Sequence, residues 1–424
     1  MKPFKSNNLS VVLKGKKILL GVSGSIAAFK SCDVVRYLKA CGAEVKVVLT
    51  QGGEKFVTPV TLETLSGNPV MTSLWASGEQ GTHHIAAARW ADLILIAPAS
   101  ANTLARLANG LADDLLTTET LAFRGPVFLA PAMNPMMYSH PATERNLKRI
   151  RKYGYRLIGP TEGITSCGEE GLGRMAEPEQ VIEEVAQAFC AASNGKRAVV
   201  TLGPTRSAID PVRYLTNRSS GKMGTALCWA LRQAGFDVVA IAGPCELELP
   251  SDVRVEHVTT AAEMADAALK EWAQAHVFVA AAAVLDWDIR NPSGNKLKKE
   301  NGAPLLEFHT NRDILREAAA LKKPGQFVLG FAAETQSPLQ FATHKLAQKG
   351  CDAIFANDVS REDQGFESVY NSGWWISGGG VKPLERTTKV ELSRKLVALI
   401  EGAEGMGIRR QSSSALGGEH VRTH

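Results

Sequence analysis

With 424 residues the chain is about two to three times the length of a typical domain, so two compact cores are expected. Its apolar fraction of 45% and charged fraction of 21% match an ordinary soluble protein, and no apolar run approaches the roughly 20 residues that span a bilayer, which argues against membrane insertion. The 48 basic and 43 acidic residues leave a net charge of +5, too small a surplus to imply nucleic acid but compatible with phosphorylated substrates.

The opening MKPFKSNNLS lacks the apolar segment of a secretory signal, so a cytoplasmic protein is expected. The seven cysteines are odd in number, scattered and without a CxxC pair, which argues against a disulfide framework or a cysteine zinc site.

In chain order, the first half alternates β-rich runs at 17–22, 44–50, 92–98 and 126–132 with helical stretches. Strands separated by helices imply a parallel sheet, and nearly continuous apolar runs imply helices on both of its faces. A second series begins after SNGK, with runs at 197–202, 237–243, 276–284, 326–333 and 352–357 and helices expected at 221–234 and 261–275. The fold class is therefore α/β with two doubly wound domains, at 1–192 and 193–402. The Gly-, Ser- and Arg-rich stretch 403–424 reads as a disordered tail.

Ligands in open parallel sheets sit beyond the carboxyl ends of the strands, so the segments after each strand are the candidates. After the first strand, Gly21-Val22-Ser23-Gly24-Ser25-Ile26-Ala27-Ala28 is a glycine turn entering a helix, either a purely structural turn or a phosphate site. After the third, Ser100, Asn102 and Thr103 either cap a helix or meet a ligand. The fourth runs into Pro131-Ala132-Met133-Asn134-Pro135, where prolines stiffen the backbone around one amide. In the second half, Asn217-Arg218-Ser219-Ser220-Gly221-Lys222 reads as an anion site, with a simple cap at Ser219 or Ser220 as the alternative. Ten residues beyond Asp286 lies Lys296-Leu297-Lys298-Lys299, which is either a solvated face or a neutraliser of triphosphate charge.

Taken together, GVSGSIAAFK, the His84-to-Asp92 segment, APASANT, PAMNPMM and CGEEGLGRM, followed by GPTRSAIDPVRYLTNRSSGKMG, AAVLDW, KLKK, GFAAET and ANDVS, resemble the bacterial family of bifunctional phosphopantothenoylcysteine decarboxylase/phosphopantothenate–cysteine ligases. The likeness runs from about residue 15 to residue 400 in one order, and its specificity lies in the ordered set. Ser25 stands where the family often has a second glycine, and Leu285-Asp286-Trp287 where Ala-Asp-Tyr is usual. The spacing to Trp90 favours His84 over His83.

The resemblance implies a flavodoxin-like N-terminal domain that uses FMN to decarboxylate 4′-phosphopantothenoylcysteine to 4′-phosphopantetheine. Its FMN contacts would be Gly24, Ser25, Ile26, Ala27, Thr50, Ser100, Asn102, Thr103 and Met133. His84 would act as acid/base, Asn134 would hold the substrate carboxylate, and Cys167 would protonate the enethiolate. It implies a Rossmann-like C-terminal domain that condenses 4′-phosphopantothenate with L-cysteine through an acyl-cytidylate, using CTP and Mg2+. There Lys296 would serve the reacting phosphate and Asn217 the acyl carbonyl. Ala280, Ala281, Ala282, Asp286, Arg312, Asp313, Ile314, Leu315, Phe331, Lys345 and Lys349 map onto nucleotide-binding positions, and no magnesium ligand is assigned. Relatives form decarboxylase trimers assembled into dodecamers, so a homo-oligomer is expected. A flavin prenyltransferase or cysteine-peptide decarboxylase would leave the second half unexplained. A regulatory flavoprotein that has lost catalysis should lack His84, Asn134 or Cys167, and all three are present.

Overall fold

The computed structural model describes residues 9–75, 83–246, 248–301, 304–334, 338–358 and 368–403, so the expected tail lies, past Ala403, outside the described residues. The chain divides into two compact units, the first ending at Ala192 and taking in Leu249–Asp252, the second beginning at Ser193.

In the first unit, β1 (Lys17–Val22), β2 (Glu44–Leu49), β3 (Val70–Met71), β4 (Leu93–Ala99), β5 (Val127–Pro131) and β6 (Arg156–Leu157) form one parallel sheet in the order β3-β2-β1-β4-β5-β6. Setting aside the short edge strand β3, the order is the flavodoxin-like 2-1-3-4-5, with its switch point between β1 and β4. All seven residues of β4 are buried, as helices on both faces require. The helix Ala101–Asn109 starts where the Ser100 hydroxyl accepts the Thr103 amide and stops at Gly110, whose φ of 69° closes the turn. A hairpin of β7 (Thr161–Ile164) and β8 (Glu170–Arg174) stands outside the sheet.

The second unit is built on β9 (Arg197–Leu202), β12 (Asp237–Ala242), β13 (Arg254–His257), β14 (Val277–Ala280), β17 (Phe327–Glu334), β18 (Ala353–Asp358), β19 (Tyr370–Ser377) and β20 (Gly380–Thr388), in the order β13-β12-β9-β14-β17-β18-β19-β20. The first six are parallel and the last two add an antiparallel edge. Two ribbons lie apart from this sheet: β10 (Arg206–Ala208) with β11 (Tyr214–Thr216), and β15 (Trp287–Ile289) with β16 (Phe308–Thr310). The helix Ala261–Trp272 begins with a capping box in which Thr260 and Glu263 satisfy each other's amides. It ends on buried Trp272, whose indole N–H donates to Ala318 O at 2.9 Å and whose ring meets Phe278 edge-on at 5.5 Å.

The strand expected over 276–284 stops at Ala280. The Ala281 and Ala283 amides still reach Thr201 O at 3.1 Å and Gly203 O at 2.9 Å, but the chain peels off to build the wall of a cavity.

Candidate active sites

In the first unit a cavity of about 670 Å³ opens beside β1, β4 and β5, at their carboxyl ends. It brings together Gly24, Ser25, Ile26, Ala27, Ser100 and Asn102 from the first two loops, Met133 and Asn134 from the third, and Cys167 from the β7–β8 hairpin. The capping reading of these hydroxyls also holds: Ser25 accepts the Ala27 amide at 3.3 Å and Ser100 the Thr103 amide at 3.3 Å. Buried Ser23 ties the first two loops together, donating to Pro98 O at 2.8 Å and accepting the Ser100 amide at 2.9 Å.

Two of the expected cofactor contacts lie behind this wall instead of lining it. Thr50 donates to Val22 O at 3.3 Å and accepts the Gly53 amide at 3.1 Å, shaping the loop after β2. Thr103 is buried against Ser100 at 3.1 Å. His84 lies in the helix His83–Trp90, and its side chain is outside the described residues.

The Asn134 amide has a defined orientation. Its Oδ1 accepts the Met136 amide at 2.8 Å, so its Nδ2 edge is left to donate, and it does so to Glu169 Oε2 at 2.7 Å. The β7–β8 hairpin is held close by the Met133 amide, which donates to Gly173 O at 3.0 Å. A Cβ on Gly173 would lie 2.4 Å from Met133 O, so this approach requires glycine. Cys167 is exposed near the hairpin tip, where the Thr165 and Gly168 amides close a turn onto Glu169 O and Thr165 O.

Lys30 and Arg174 also line the cavity, and both pair with Glu177, at 2.9 and 3.3 Å. Neither was singled out from the sequence. Both stand inside strings already quoted, GVSGSIAAFK and CGEEGLGRM, but a string does not say which side chains face inward.

In the second unit a cavity of about 330 Å³ lies at the carboxyl ends of β14 and β17. Ala280, Ala282, Asp286, Arg312, Asp313, Ile314, Leu315, Phe331, Lys345 and Lys349 line it, as do Thr310 and Asn311, which sequence reasoning missed. Lys349 is paired with Asp313, and Arg312 is held by Glu317 at 2.6 Å and Asp266 at 2.5 Å. Asn311 braces the wall, its Nδ2 donating to Leu285 O at 2.9 Å.

Ala281, Asn217 and Lys296 are not part of that lining. Asn217 Nδ2 donates to Ala283 O at 3.3 Å and Val284 O at 3.0 Å, so it secures the loop that forms the wall. Lys296 is exposed on its own loop. The helix Lys222–Gln233 is capped by Gly221 at φ 72° without a side-chain hydrogen bond, in place of the Ser219 or Ser220 cap weighed above. Among the described residues no group of three or more His, Cys, Asp or Glu side chains is placed to hold a metal, and no helix is long and apolar enough to cross a membrane.

Two parallel-sheet units, each with a ligand-sized cavity at the carboxyl edge of its strands, define a two-domain α/β enzyme. The flavoprotein family model matches residues 6–190, and that of the DNA/pantothenate metabolism flavoprotein C-terminal domain matches 193–403. The chain is 44% identical over 394 residues to the coenzyme A biosynthesis bifunctional protein CoaBC of Vibrio cholerae, covering 92% of this chain and 98% of that one. It is 43% identical over 366 residues to the CoaBC of Bacillus subtilis, covering 85% and 90%. A crystal structure of the C-terminal domain of a CoaBC protein is similar at a TM-score of 0.43 and 33% identity, covering 50% of this chain and 96% of that one.

The chain belongs to the family of bifunctional coenzyme A biosynthesis proteins. It joins a phosphopantothenoylcysteine decarboxylase, carried with a flavoprotein domain, to a phosphopantothenate–cysteine ligase.

Proposed function

We propose that residues 1–192 form the decarboxylase domain, with FMN in the 670 Å³ cavity, and that residues 193–402 form the ligase domain, which consumes CTP. The observation that carries the first assignment is the convergence of Asn134 and Cys167, 33 positions apart, on one cavity wall. The donor set fits a flavin: hydroxyls and an amide from Ser25, Ser100 and Asn102 suit a phosphate and ring polar edges, and Ile26 and Met133 offer apolar surface to the ring.

When bound, FMN supplies the electron sink that the cysteinyl carboxylate lacks. The protein's own groups do the rest. Asn134 presents a donor edge to the substrate carboxylate, and its Nδ2 carries two hydrogens, so one bond to Glu169 leaves one for the substrate. Cys167 delivers a proton to the enethiolate, and His84 serves as acid/base. Exposed Ile26 and Phe29 at the cavity favour a second copy of the chain as its cover, in line with the homo-oligomer proposed for this protein in the cytoplasm.

In the ligase, Lys296 compensates charge at the reacting phosphate, Asn217 serves the acyl-cytidylate carbonyl, and the 330 Å³ cavity holds the nucleotide. Mg2+ has no dedicated side-chain cluster among the described residues, so no step is assigned to it. The test is incubation of the purified protein with 4′-phosphopantothenate, cysteine, magnesium and either CTP or ATP, with products identified by mass. ATP working as well as CTP would overturn the nucleotide assignment, and denatured protein releasing no FMN would overturn the cofactor.

A further inference from the structure

Asp210 lies in the turn between β10 and β11 and is only 4% exposed. Its Oδ1 accepts the amides of Val212 at 2.9 Å and Arg213 at 2.8 Å. Its Oδ2 accepts Arg213 Nε at 3.0 Å and Nη2 at 2.5 Å, and also the amide of Leu297 at 3.1 Å, which is 87 positions away. The same Arg213 Nη2 donates to Leu297 O at 2.9 Å, so both backbone polar groups of Leu297 are held by one ion pair. A further bond runs from the Ser293 amide to Ile209 O at 3.0 Å, fastening the other side of the loop.

Lys296 immediately precedes Leu297. Its side chain is exposed and has no hydrogen bond or ion pair among the described residues, so nothing it does itself fixes its place. A cation that stabilises developing phosphate charge is effective only when already in position, because a wandering ammonium must be ordered during the reaction. The Arg213 guanidinium and the three amides hold the Asp210 carboxyl well below the usual carboxylate range, so the clamp stays charged at neutral pH.

We propose that Asp210 is a positioning residue of the ligase: together with Arg213 it clamps the backbone of Leu297 and thereby places the Lys296 ammonium at the reacting nucleotide phosphate. This rests on the role proposed above for Lys296. In Asp210→Asn the amide of Asn either turns a donor toward Leu297 N–H and Arg213 or keeps its oxygen there without the charge. Either way the clamp weakens.

The experiment uses the full chain and measures pyrophosphate released from CTP with 4′-phosphopantothenate. Asp210→Asn should lower kcat about 30-fold or more while shifting KM for CTP less than about threefold. Its decarboxylase activity should equal that of the parent. The double variant Asp210→Asn/Lys296→Gln should be no slower than Lys296→Gln alone, because the clamp acts only through the lysine. Should Asp210→Asn fail to fold, Leu297→Pro removes the clamped N–H and leaves Asp210 intact, and its kcat should fall about tenfold or more at similar KM. An unchanged kcat in a folded variant, or losses that multiply in the double variant, would overturn the inference with the Lys296 assignment still standing. Full pyrophosphate release by Lys296→Gln would overturn both.

Discussion

At the scale of single residues, Cys167 and Glu119 show how differently two reactive side chains are placed. Cys167 is exposed on the hairpin that lines the cavity, which suits the late proton donor proposed for it. Cys167→Ser is therefore expected to release carbon dioxide at close to the parent rate while accumulating the unreduced enethiol product. Carbon dioxide release lost with flavin still bound would place the thiol earlier. Glu119 is fully buried in the helix Leu115–Ala122, and among the described residues neither of its carboxylate oxygens has a hydrogen-bond partner. Burial pushes its carboxyl up to about 8, against the pull of Lys46. An acid with a raised pKa in the fold holds its proton where the unfolded chain has lost it, so unfolding free energy falls as pH rises from about 4.5 to about 8 and then levels off. At about 1.4 kcal/mol per pKa unit, the loss is on the order of several kcal/mol. Glu119→Leu should flatten that slope in urea titrations at pH 5, 6.5 and 8 followed through flavin fluorescence, and equal slopes in parent and variant would contradict the assignment.

At the scale of elements, the contact of the helix Lys222–Gln233 with β9 depends on one missing side chain. A Cβ on Gly224 would stand 2.3 Å from the Cβ of Leu202, inside any normal contact. The helix therefore packs closer to its strand than any other residue at this position would permit, and its N-terminus begins at Gly221. Gly224→Ala is expected to push the helix outward at a cost of about 1–3 kcal/mol, the usual penalty of overpacking. Thermal unfolding should show the loss, and ligase activity should drop while decarboxylase activity is kept. An unchanged melting temperature would mean that the helix shifts freely. The β7–β8 hairpin illustrates the opposite case, an element tied to the loop after β5 by the Met133–Gly173 backbone bond and by the Asn134–Glu169 contact.

At the scale of the whole molecule, the two proposed catalytic sets fall in different compact units, with Asn134 and Cys167 in the first and Asn217 and Lys296 in the second. The two activities should therefore separate by mutation. Lys296→Gln is expected to lose pyrophosphate release on the order of 100-fold or more. On the role proposed for Asn217, Asn217→Asp should form the acyl-cytidylate but capture cysteine poorly, and, because an acceptor then faces the Ala283 and Val284 carbonyls that Nδ2 holds, it should also loosen that wall of the nucleotide cavity. Quenching each variant with and without cysteine, and quantifying pyrophosphate, acyl-cytidylate and amide, distinguishes the two, and a block at the same step in both would refute the division. Neither substitution should alter the flavin absorption spectrum.

The amino-acid sequence by itself determined the alternation of strands and helices, the restart of the pattern after residue 192, and the loops at the carboxyl ends of the strands. These are local properties: an apolar run or a short ordered motif is complete within a few residues, and β1, β9 and β12 begin where their runs begin. Only the tertiary structure decided which side chains meet. The bond from Leu297 to Asp210 joins residues 87 positions apart, and that from Asn134 to Glu169 joins residues 35 apart, so no local pattern encodes either. Strand order and the short hairpins were hidden for the same reason. The exposed, glycine-rich β8 has no apolar alternation to read, and it exists as a strand because the fold presents it with a partner.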